Sequence, residues 1–146
     1  MKLFNFNKKK VTPEKDLSEE SEINLFQDDL SSPEFLAKVK AMKNINKKFQ
    51  KGMNLLHFAC EYNAISLAKQ LIDLKINIEE KNIYGNTPLW TAVFNARENY
   101  NLIDLLLLHK ANPNSINDAK KTPLDFAVTI GDQILIKKLK NSSAKL

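Results

Sequence analysis

The chain has 146 residues, a formal net charge of +5 and a single cysteine. One cysteine excludes an internal disulfide framework and favours a reducing compartment. No apolar run approaches the ~20 residues of a membrane-spanning helix, and the N-terminal MKLFNFNKKK lacks the sustained apolar stretch of a secretory signal, so we expect a cytoplasmic protein with one small domain.

Residues 1–18 are predicted to form a flexible, charged tail, because they contain few apolar side chains and carry charge in blocks. Residues 1–30 hold five lysines and seven acidic residues, whereas residues 31–146 hold seventeen basic and ten acidic residues. The tail can therefore contact the basic body or remain a solvated extension. Residues 3–6 are a further candidate, as a short apolar anchor.

Residues 19–44 are predicted to cap the domain with two helices. In SSPEFLAKVKAMKNIN, Ser32 suits a helix N-cap, Pro33 suits the first turn, and Phe35, Leu36 and Val39 fall on one side. Residues 19–30 are predicted to supply the other helix of this cap.

A short box of sequence then occurs three times, at intervals of 33 and 35 residues. The copies are Asn54-Leu-Leu-His-Phe-Ala, Thr87-Pro-Leu-Trp-Thr-Ala and Thr122-Pro-Leu-Asp-Phe-Ala. Each box is followed by an amphipathic set of apolar residues, such as Leu102, Ile103, Leu106 and Leu107, and then by a polar stretch typical of a turn. Each unit is thus predicted to be helix, short turn, helix, extended turn.

The predicted box helices span residues 54–62, 87–95 and 122–130, and their partner helices span residues 65–74, 100–109 and 133–140. Leu106 and Leu107 are expected to be buried between the outer repeats. Lys140 replaces the second leucine of the last partner helix, so it is expected on the outward face that ends the stack.

The box and its period resemble the ankyrin repeat, whose signature is Thr-Pro-Leu-His-x-Ala in a unit of about 33 residues. The resemblance implies an all-α solenoid of stacked antiparallel helix pairs over residues 19–146, with a cap at about 19–44. It places the repeats at about 45–81, 82–116 and 117–146. The chain departs from the signature at Asn54-Leu55, at Lys120 in place of the turn glycine, and at Trp90 and Asp125 in place of histidine.

Gly85, Thr87 and Pro88 could also suggest a phosphate-binding loop, but that motif needs several glycines after a buried strand. The chain has only three glycines and no run that reads as a parallel strand. We therefore interpret Gly52 and Gly85 as turn residues with positive φ, Thr87 as a helix cap, and Pro88 as a first-turn residue.

Other chemistry has little support in the sequence. His57 and Cys60 lie three residues apart and could form a nucleophile–base pair, but both fall inside the repeated box, which favours a structural role. Two histidines and one cysteine spread over two predicted helices make no metal-ligand set, and no cofactor is implied. Twenty-one of the 22 basic residues are lysine, whereas base readout relies on arginine, so we expect no nucleic-acid partner.

Protein binding remains, and the resemblance implies where to look. In the ankyrin arrangement the extended turns project beside the box helices and form a concave surface, called the inner face below. Large apolar side chains expected to be exposed there have the composition of a binding hot spot, although they could instead pack on neighbouring turns. The predicted partner-binding residues are Lys48, Lys51, Met53, Tyr62, Lys81, Ile83, Tyr84, Asn86, Phe94, Asn95, Asp118 and Lys121.

Two extra residues in FNARENYNLID lengthen the connection inside the middle repeat. Insertions in repeat proteins map to loops and often carry binding, which adds Arg97, Glu98 and Tyr100 as candidates. The insertion can equally be neutral, since surface loops tolerate added length.

The leading functional hypothesis is a stand-alone protein-interaction module that is monomeric when free. Its sharper form is an inhibitor: the chain resembles small bacterial ankyrin-like immunity proteins, which implies a toxin or effector partner with an acidic or apolar surface. The alternative is an adaptor or host-directed effector. No residue set argues for an enzyme, and no membrane partner is expected.

Overall fold

The computed structural model describes residues 29–30 and 32–145. Within these ranges the chain forms seven α-helices and no β-strand, which confirms the predicted all-α class. The helices are α1 (Pro33–Lys40), α2 (Leu55–Glu61), α3 (Ile65–Asp73), α4 (Pro88–Phe94), α5 (Asn101–Leu108), α6 (Pro123–Ile130) and α7 (Gln133–Ser143). The predicted tail, residues 1–18, lies outside the described residues, as does the first cap helix apart from residues 29 and 30.

Helix α1 begins as its sequence predicts. The Ser32 hydroxyl accepts a hydrogen bond of 3.2 Å from the Phe35 amide, and Pro33 occupies the first turn, where a missing N–H leaves nothing unpaired. Phe35 and Val39 are buried in the common core. The Gln70 side chain of α3 donates to the Leu36 carbonyl at 2.9 Å, which ties this helix to the first repeat.

The box helices α2, α4 and α6 each start at a capping side chain. Asn54 accepts from the His57 amide at 3.1 Å, Thr87 from the Trp90 amide at 3.4 Å, and Thr122 from the Asp125 amide at 3.1 Å. These local bonds satisfy orphan helix amides, so the box sequence sets each helix start. Contacts join α2 to α4 and α4 to α6, and each box helix also packs on its own partner helix.

The partner helices α3, α5 and α7 contribute leucines to the core that runs along the stack. Leu67, Leu71, Leu106, Leu135 and Leu139 are fully buried. The predicted burial of Leu106 is confirmed, but full burial of Leu107 is wrong, since Leu107 is only half-buried against the core. Consecutive residues of an α-helix point about 100° apart, so the side chain after Leu106 turns towards the edge. Lys140 is exposed.

The extended turns close in a similar way in all three units. The Phe49, Asn82 and Asn117 amides donate to the Met53, Asn86 and Lys121 carbonyls at 2.7, 3.0 and 3.0 Å. The turns also bond to each other: Ile83 N–H donates to the Lys51 carbonyl at 2.9 Å, and Asp118 N–H donates to the Tyr84 carbonyl at 3.1 Å. The turns therefore form a continuous, hydrogen-bonded edge beside the box helices.

Gly85 has φ +72°, and a Cβ there would lie 2.5 Å from Asp118 Oδ1 and 2.8 Å from the Asp118 amide nitrogen. Glycine is thus required both by conformation and by the close approach of the next turn. Lys120, which replaces glycine in the third unit, takes the same left-handed conformation at φ +60° and is exposed.

Asparagines align the far ends of the units. Asn77 and Asn112 each accept from the amide two residues on, at 3.0 and 2.9 Å, while their own amides donate to Asn46 Oδ1 and Glu79 Oε1 in the preceding unit, at 2.6 and 2.8 Å. Sequence reasoning missed this alignment, although asparagines at positions 44, 77 and 112 follow the repeat spacing.

Candidate protein-binding surface

The inner face carries large exposed apolar side chains near the middle repeat. The exposed fractions of Tyr62, Ile83, Tyr84 and Phe94 are 55, 60, 52 and 58%. Packing on neighbouring turns therefore does not bury these side chains. Ile83 and Tyr84 lie on the extended turn, whereas Phe94 ends α4. Exposed apolar surface of this kind marks an interaction site when it is contiguous.

Phe94 belongs to an aromatic cluster with Trp90 and Phe126. Ring centroids are 5.8 Å apart for Trp90 and Phe94, 5.4 Å for Trp90 and Phe126, and 5.3 Å for Phe94 and Phe126. These distances lie in the range of favourable aromatic pairs. Trp90 and Phe126 are half-buried, so the cluster is rooted in the stack and presents Phe94 to the surface.

The Trp90 indole N–H is buried and has no hydrogen-bond partner among the described residues. Trp90 occupies the box position where His57 bonds to the next turn, so the indole fills the same place without reproducing that bond. Sequence reasoning named only Phe94 of the cluster. The spacing of Trp90 and Phe94, four residues apart on one helix, could have indicated their contact.

The prediction for Met53 is wrong. The sequence places Met53 on the exposed inner face, but its side chain is buried, at 8% exposure. Gln50–Gly52 form a 3-10 turn with Lys51 at φ +58°, and the Met53 carbonyl closes this turn by accepting from the Phe49 amide. The side chain therefore enters the interior just before the Asn54 cap and offers nothing to a partner.

Asn86 and Asn95 are half-buried, and several of their polar groups form hydrogen bonds within the fold. The Asn86 side-chain oxygen accepts from Asn117 at 2.9 Å, and its carbonyl accepts from both His57 and the Asn82 amide. The Asn95 side chain donates to the Thr91 carbonyl at 2.9 Å. These two residues shape the inner face more than they offer it hydrogen-bonding capacity.

The charged candidates lie on the extended turns and are exposed, and they differ in their partners. Lys48 forms an ion pair of 2.7 Å with Glu80, and its hydrogen bond is the main reason that the pKa of the Glu80 carboxyl is lowered. The Lys81 ammonium donates to the Ile116 carbonyl at 2.8 Å. Lys51, Asp118 and Lys121 are exposed on the same edge.

His57 holds the first repeat to the second. It is fully buried, and its Nε2 lies 2.9 Å from the Asn86 carbonyl, which can only accept, so Nε2 carries the proton. In the neutral ring Nδ1 then accepts from the Asn54 amide at 3.2 Å. Burial is the main cause of the lowered pKa of His57, opposed by the bond to Asn86.

Both ring nitrogens of His57 are thus occupied by the fold. Burial raises the pKa of the Cys60 thiol well above its usual range, whereas a nucleophilic cysteine needs a lowered pKa. The pair has the character of a packed core. Among the residues that the structure describes, no three His, Cys, Asp or Glu side chains gather as a metal site would require.

The insertion of the middle repeat places its three candidates differently. Arg97 and Glu98 are exposed and both have positive φ, at 43° and 65°. Tyr100 is half-buried, and its hydroxyl donates to the Asp132 carboxylate at 2.8 Å, which is the main reason that the pKa of Tyr100 is raised to about 12. Since Asp132 also caps α7, Tyr100 anchors the insertion to the last repeat.

No helix within the described ranges is both long enough and apolar enough to cross a bilayer.

Comparisons with known proteins agree with this architecture. The family profile described as ankyrin repeats (3 copies) matches residues 27–117 and 56–145. An ankyrin repeat protein, YahD, of Escherichia coli (strain K12) is 31% identical over 109 residues, which cover 72% of this chain and 53% of that protein. A Fowlpox virus ankyrin repeat protein is 33% identical over 107 residues, covering 72% of this chain and 31% of its own length.

A Dictyostelium discoideum protein named as a serine/threonine-protein kinase is 35% identical over 82 residues, 56% of this chain but only 10% of that protein. The chain thus spans between a tenth and about half of the length of these relatives. Ankyrin repeats are protein-interaction modules and in general a non-enzymatic scaffold. The repeated boxes, the stacked helix pairs and the matching profile together show that the chain belongs to the ankyrin-repeat family.

Proposed function

We propose that this chain binds a folded protein partner through the inner face around the middle repeat and inhibits that partner by covering its working surface. The observation that carries the proposal is the aromatic cluster, with Phe94 exposed and with Ile83 and Tyr84 exposed on the neighbouring turn. Aromatic anchors at the centre of an interface supply most of its binding energy.

The charges of the inner face indicate the surface chemistry of the partner. Lys51, Lys81 and Lys121 lie on the extended turns, so a complementary surface has an apolar centre and acidic groups beside it. A small toxin with such a surface fits this description, and occupation of its active-site entrance would inhibit it by steric exclusion alone. The reduced, buried Cys60 is compatible with the cytoplasmic location that we propose for this role.

An adaptor or host-directed effector is the second candidate. It is favoured by the partial coverage of the relatives, since a tenth of the kinase-named protein matches this chain. An adaptor would use the same surface but would leave its partner active. Activity of the partner at saturating amounts of this chain therefore separates the two candidates.

The experiment is a binding measurement with Tyr84→Ala/Phe94→Ala. The partner is captured with the tagged full chain, identified by mass spectrometry, purified, and titrated against each variant. The double variant is expected to retain helicity and to bind at least about tenfold more weakly, which corresponds to ~1.4 kcal/mol.

Leu108→Ala/Ile134→Ala is the matched control, because it also removes two exposed apolar side chains, 77 and 56% exposed, but on the outer helices. Equal binding by both double variants would reject the inner face as the site. Tight binding without loss of the partner's activity would reject inhibition and support the adaptor.

A further inference from the structure

We propose that the inner face binds one acidic, amphipathic α-helix of the partner, which lies along the direction in which the repeats stack. Its apolar stripe would cover the exposed apolar ends of the box helices, and its carboxylates would face the lysines of the extended turns. Since it names the element of the partner that docks, this proposal rests on the proposed function.

Each box helix ends at a large apolar side chain that is exposed. Tyr62 is the C-cap of α2, and Phe94 and Ile130 are the last residues of α4 and α6. The exposed fraction of Ile130 is 53%, close to the values for Tyr62 and Phe94. These three side chains are called the apolar row below, and each repeat contributes one of them.

The apolar row runs along the stack. The three box helices begin at their caps directly after the extended turns, so they start beside the hydrogen-bonded edge of the turns and end away from it. Contacts join α2 to α4 and α4 to α6, so their C-terminal ends are neighbours. Packed helices lie ~8–10 Å apart, which gives the row one member every ~8–10 Å and a length of ~16–20 Å.

This spacing selects an α-helix as the occupant. A heptad stripe returns to the same side of a helix after seven residues, a rise of ~10.5 Å, so it presents an apolar side chain to each repeat. One face of a β-strand presents side chains every ~6.6 Å and would be out of step with the row. A partner helix of about four turns, ~15 residues long, would reach all three repeats.

The width of the surface also fits one helix. The box helices have seven or eight residues, which puts the apolar row ~10–12 Å from the turns at ~1.5 Å per residue. An α-helix with its side chains is ~10–12 Å in diameter. The half-buried rings of Trp90 and Phe126, with centroids 5.4 Å apart, lie between these two borders and offer the helix an apolar floor.

The charges at the two borders differ and so orient the helix. Beside the box helices the turns expose Lys51, Lys81, Lys120 and Lys121, together with Asp118. Near the apolar row the exposed charges have both signs: Glu61, Arg97 and Glu98. A helix with carboxylates on the side that faces the turns is therefore complementary to this surface, whereas a basic helix would be repelled there.

Synthetic peptides of ~21 residues test the fit without the natural partner. The helical probe has leucine at the first and fourth positions of each heptad, glutamates on one side of that stripe and alanines elsewhere. The second probe has the same composition, but its leucines stand at alternate positions, as a strand would require. Fluorescence anisotropy of the labelled peptides is measured against the full chain, and the helical probe is expected to bind at least ~10-fold more tightly.

Phe94→Ala/Ile130→Ala should weaken binding of the helical probe ~10-fold, because it removes two members of the apolar row. Leu108→Ala/Ile134→Ala is the matched control, since it removes two exposed apolar side chains of the outer helices and should bind as the wild type does. Circular dichroism of each variant checks that the fold is kept.

A version of the helical probe with lysine in place of glutamate is expected to bind ~10-fold more weakly at low ionic strength. Equal affinities of the helical and alternating probes, of the acidic and basic probes, or of the two double variants would each overturn the proposal.

The captured natural partner separates this proposal from the proposed function. Hydrogen exchange of the partner with and without this chain is expected to show slower exchange in one helix that carries apolar residues seven positions apart. If Tyr84→Ala/Phe94→Ala abolished binding but the protected segment were a loop or a strand, the helix proposal would fail and the proposed function would stand. Partner binding that survived Tyr84→Ala/Phe94→Ala would instead reject the proposed function, and with it the docking of a partner helix on this face.

Discussion

At the scale of single residues, Gly85 shows which features of a repeat position can be predicted from the local sequence. A positive φ at Gly85 follows from turn chemistry within a few residues, so the sequence predicts it. The close approach of Asp118 to the position that a Cβ of residue 85 would take involves residues one repeat apart and depends on how closely the turns stack. The need for a positive φ can be inferred from the local sequence, whereas the close approach of Asp118 cannot.

Gly85→Ala should destabilise the fold by ~2–5 kcal/mol, because a left-handed alanine costs ~1–2 kcal/mol and the Cβ must also displace Asp118, which adds ~1–3 kcal/mol. Gly131→Ala separates the two effects. Gly131 has φ +73°, but nothing lies within 4 Å of its Cβ position. Urea unfolding that gave both variants the same loss would mean that the turns do not stack as closely as described.

His57 should make stability depend on pH. Burial is the main reason that the pKa of His57 in the folded protein is lowered from its ordinary value of 6.5. Below pH 6.5 the unfolded chain therefore binds a proton that the folded chain does not bind. The free energy of unfolding must then rise with pH up to about 6.5 and fall on acidification below it. The stability due to a neutral His57 is lost as the pH drops through this window.

The measurement is the urea midpoint at pH 7.5 and 5.7, above the range in which carboxyls such as Glu80 titrate. His57→Gln can still donate to the Asn86 carbonyl but does not titrate, so its midpoint should change less between the two pH values. An unchanged pH response in His57→Gln would show that another group is responsible.

At the scale of elements, local signals predicted the helices well and their surfaces less well. Thr87 and Pro88 are local signals for the start of a helix, so the start of α4 was predictable to within a residue. Met53 was misplaced because its burial depends on a 3-10 turn that needs Lys51 at positive φ. The contact of Phe126 with Trp90 depends on the stagger of two repeats, about which one repeat carries no information.

Leu106→Ala should test the register of α5. Leu106 is fully buried, whereas Leu108, two residues on, is 77% exposed. Removing the buried side chain should lower the free energy of unfolding by ~2–5 kcal/mol, and Leu108→Ala should change it by no more than ~0.5 kcal/mol. A loss below ~0.5 kcal/mol for Leu106→Ala in urea unfolding would show that α5 does not bury the face that carries Leu106.

At the scale of the whole molecule, charge is distributed unevenly in a way that the helices do not require. The net charge is +5 overall, yet residues 14–28 alone carry six acids against one lysine. The described body is therefore more basic than the chain as a whole. Charges of this kind act on encounter rates with a partner more than on folding.

Lys51→Glu/Lys81→Glu should slow association with the proposed partner and reduce its dependence on salt, because both lysines lie on the exposed edge of the inner face. Rim charges act mainly on the association rate, so we expect a ~10-fold slower association at low ionic strength and a dissociation rate within ~2-fold of the wild type. Stopped-flow or surface-binding kinetics at several salt concentrations measure both.

Lys69→Glu/Lys137→Glu is the matched control, because it changes the net charge equally on the outer helices α3 and α7, where both lysines are exposed. If the control slowed association as much as Lys51→Glu/Lys81→Glu does, the net charge alone would set the association rate, and the lysines of the inner face would have no special part in it.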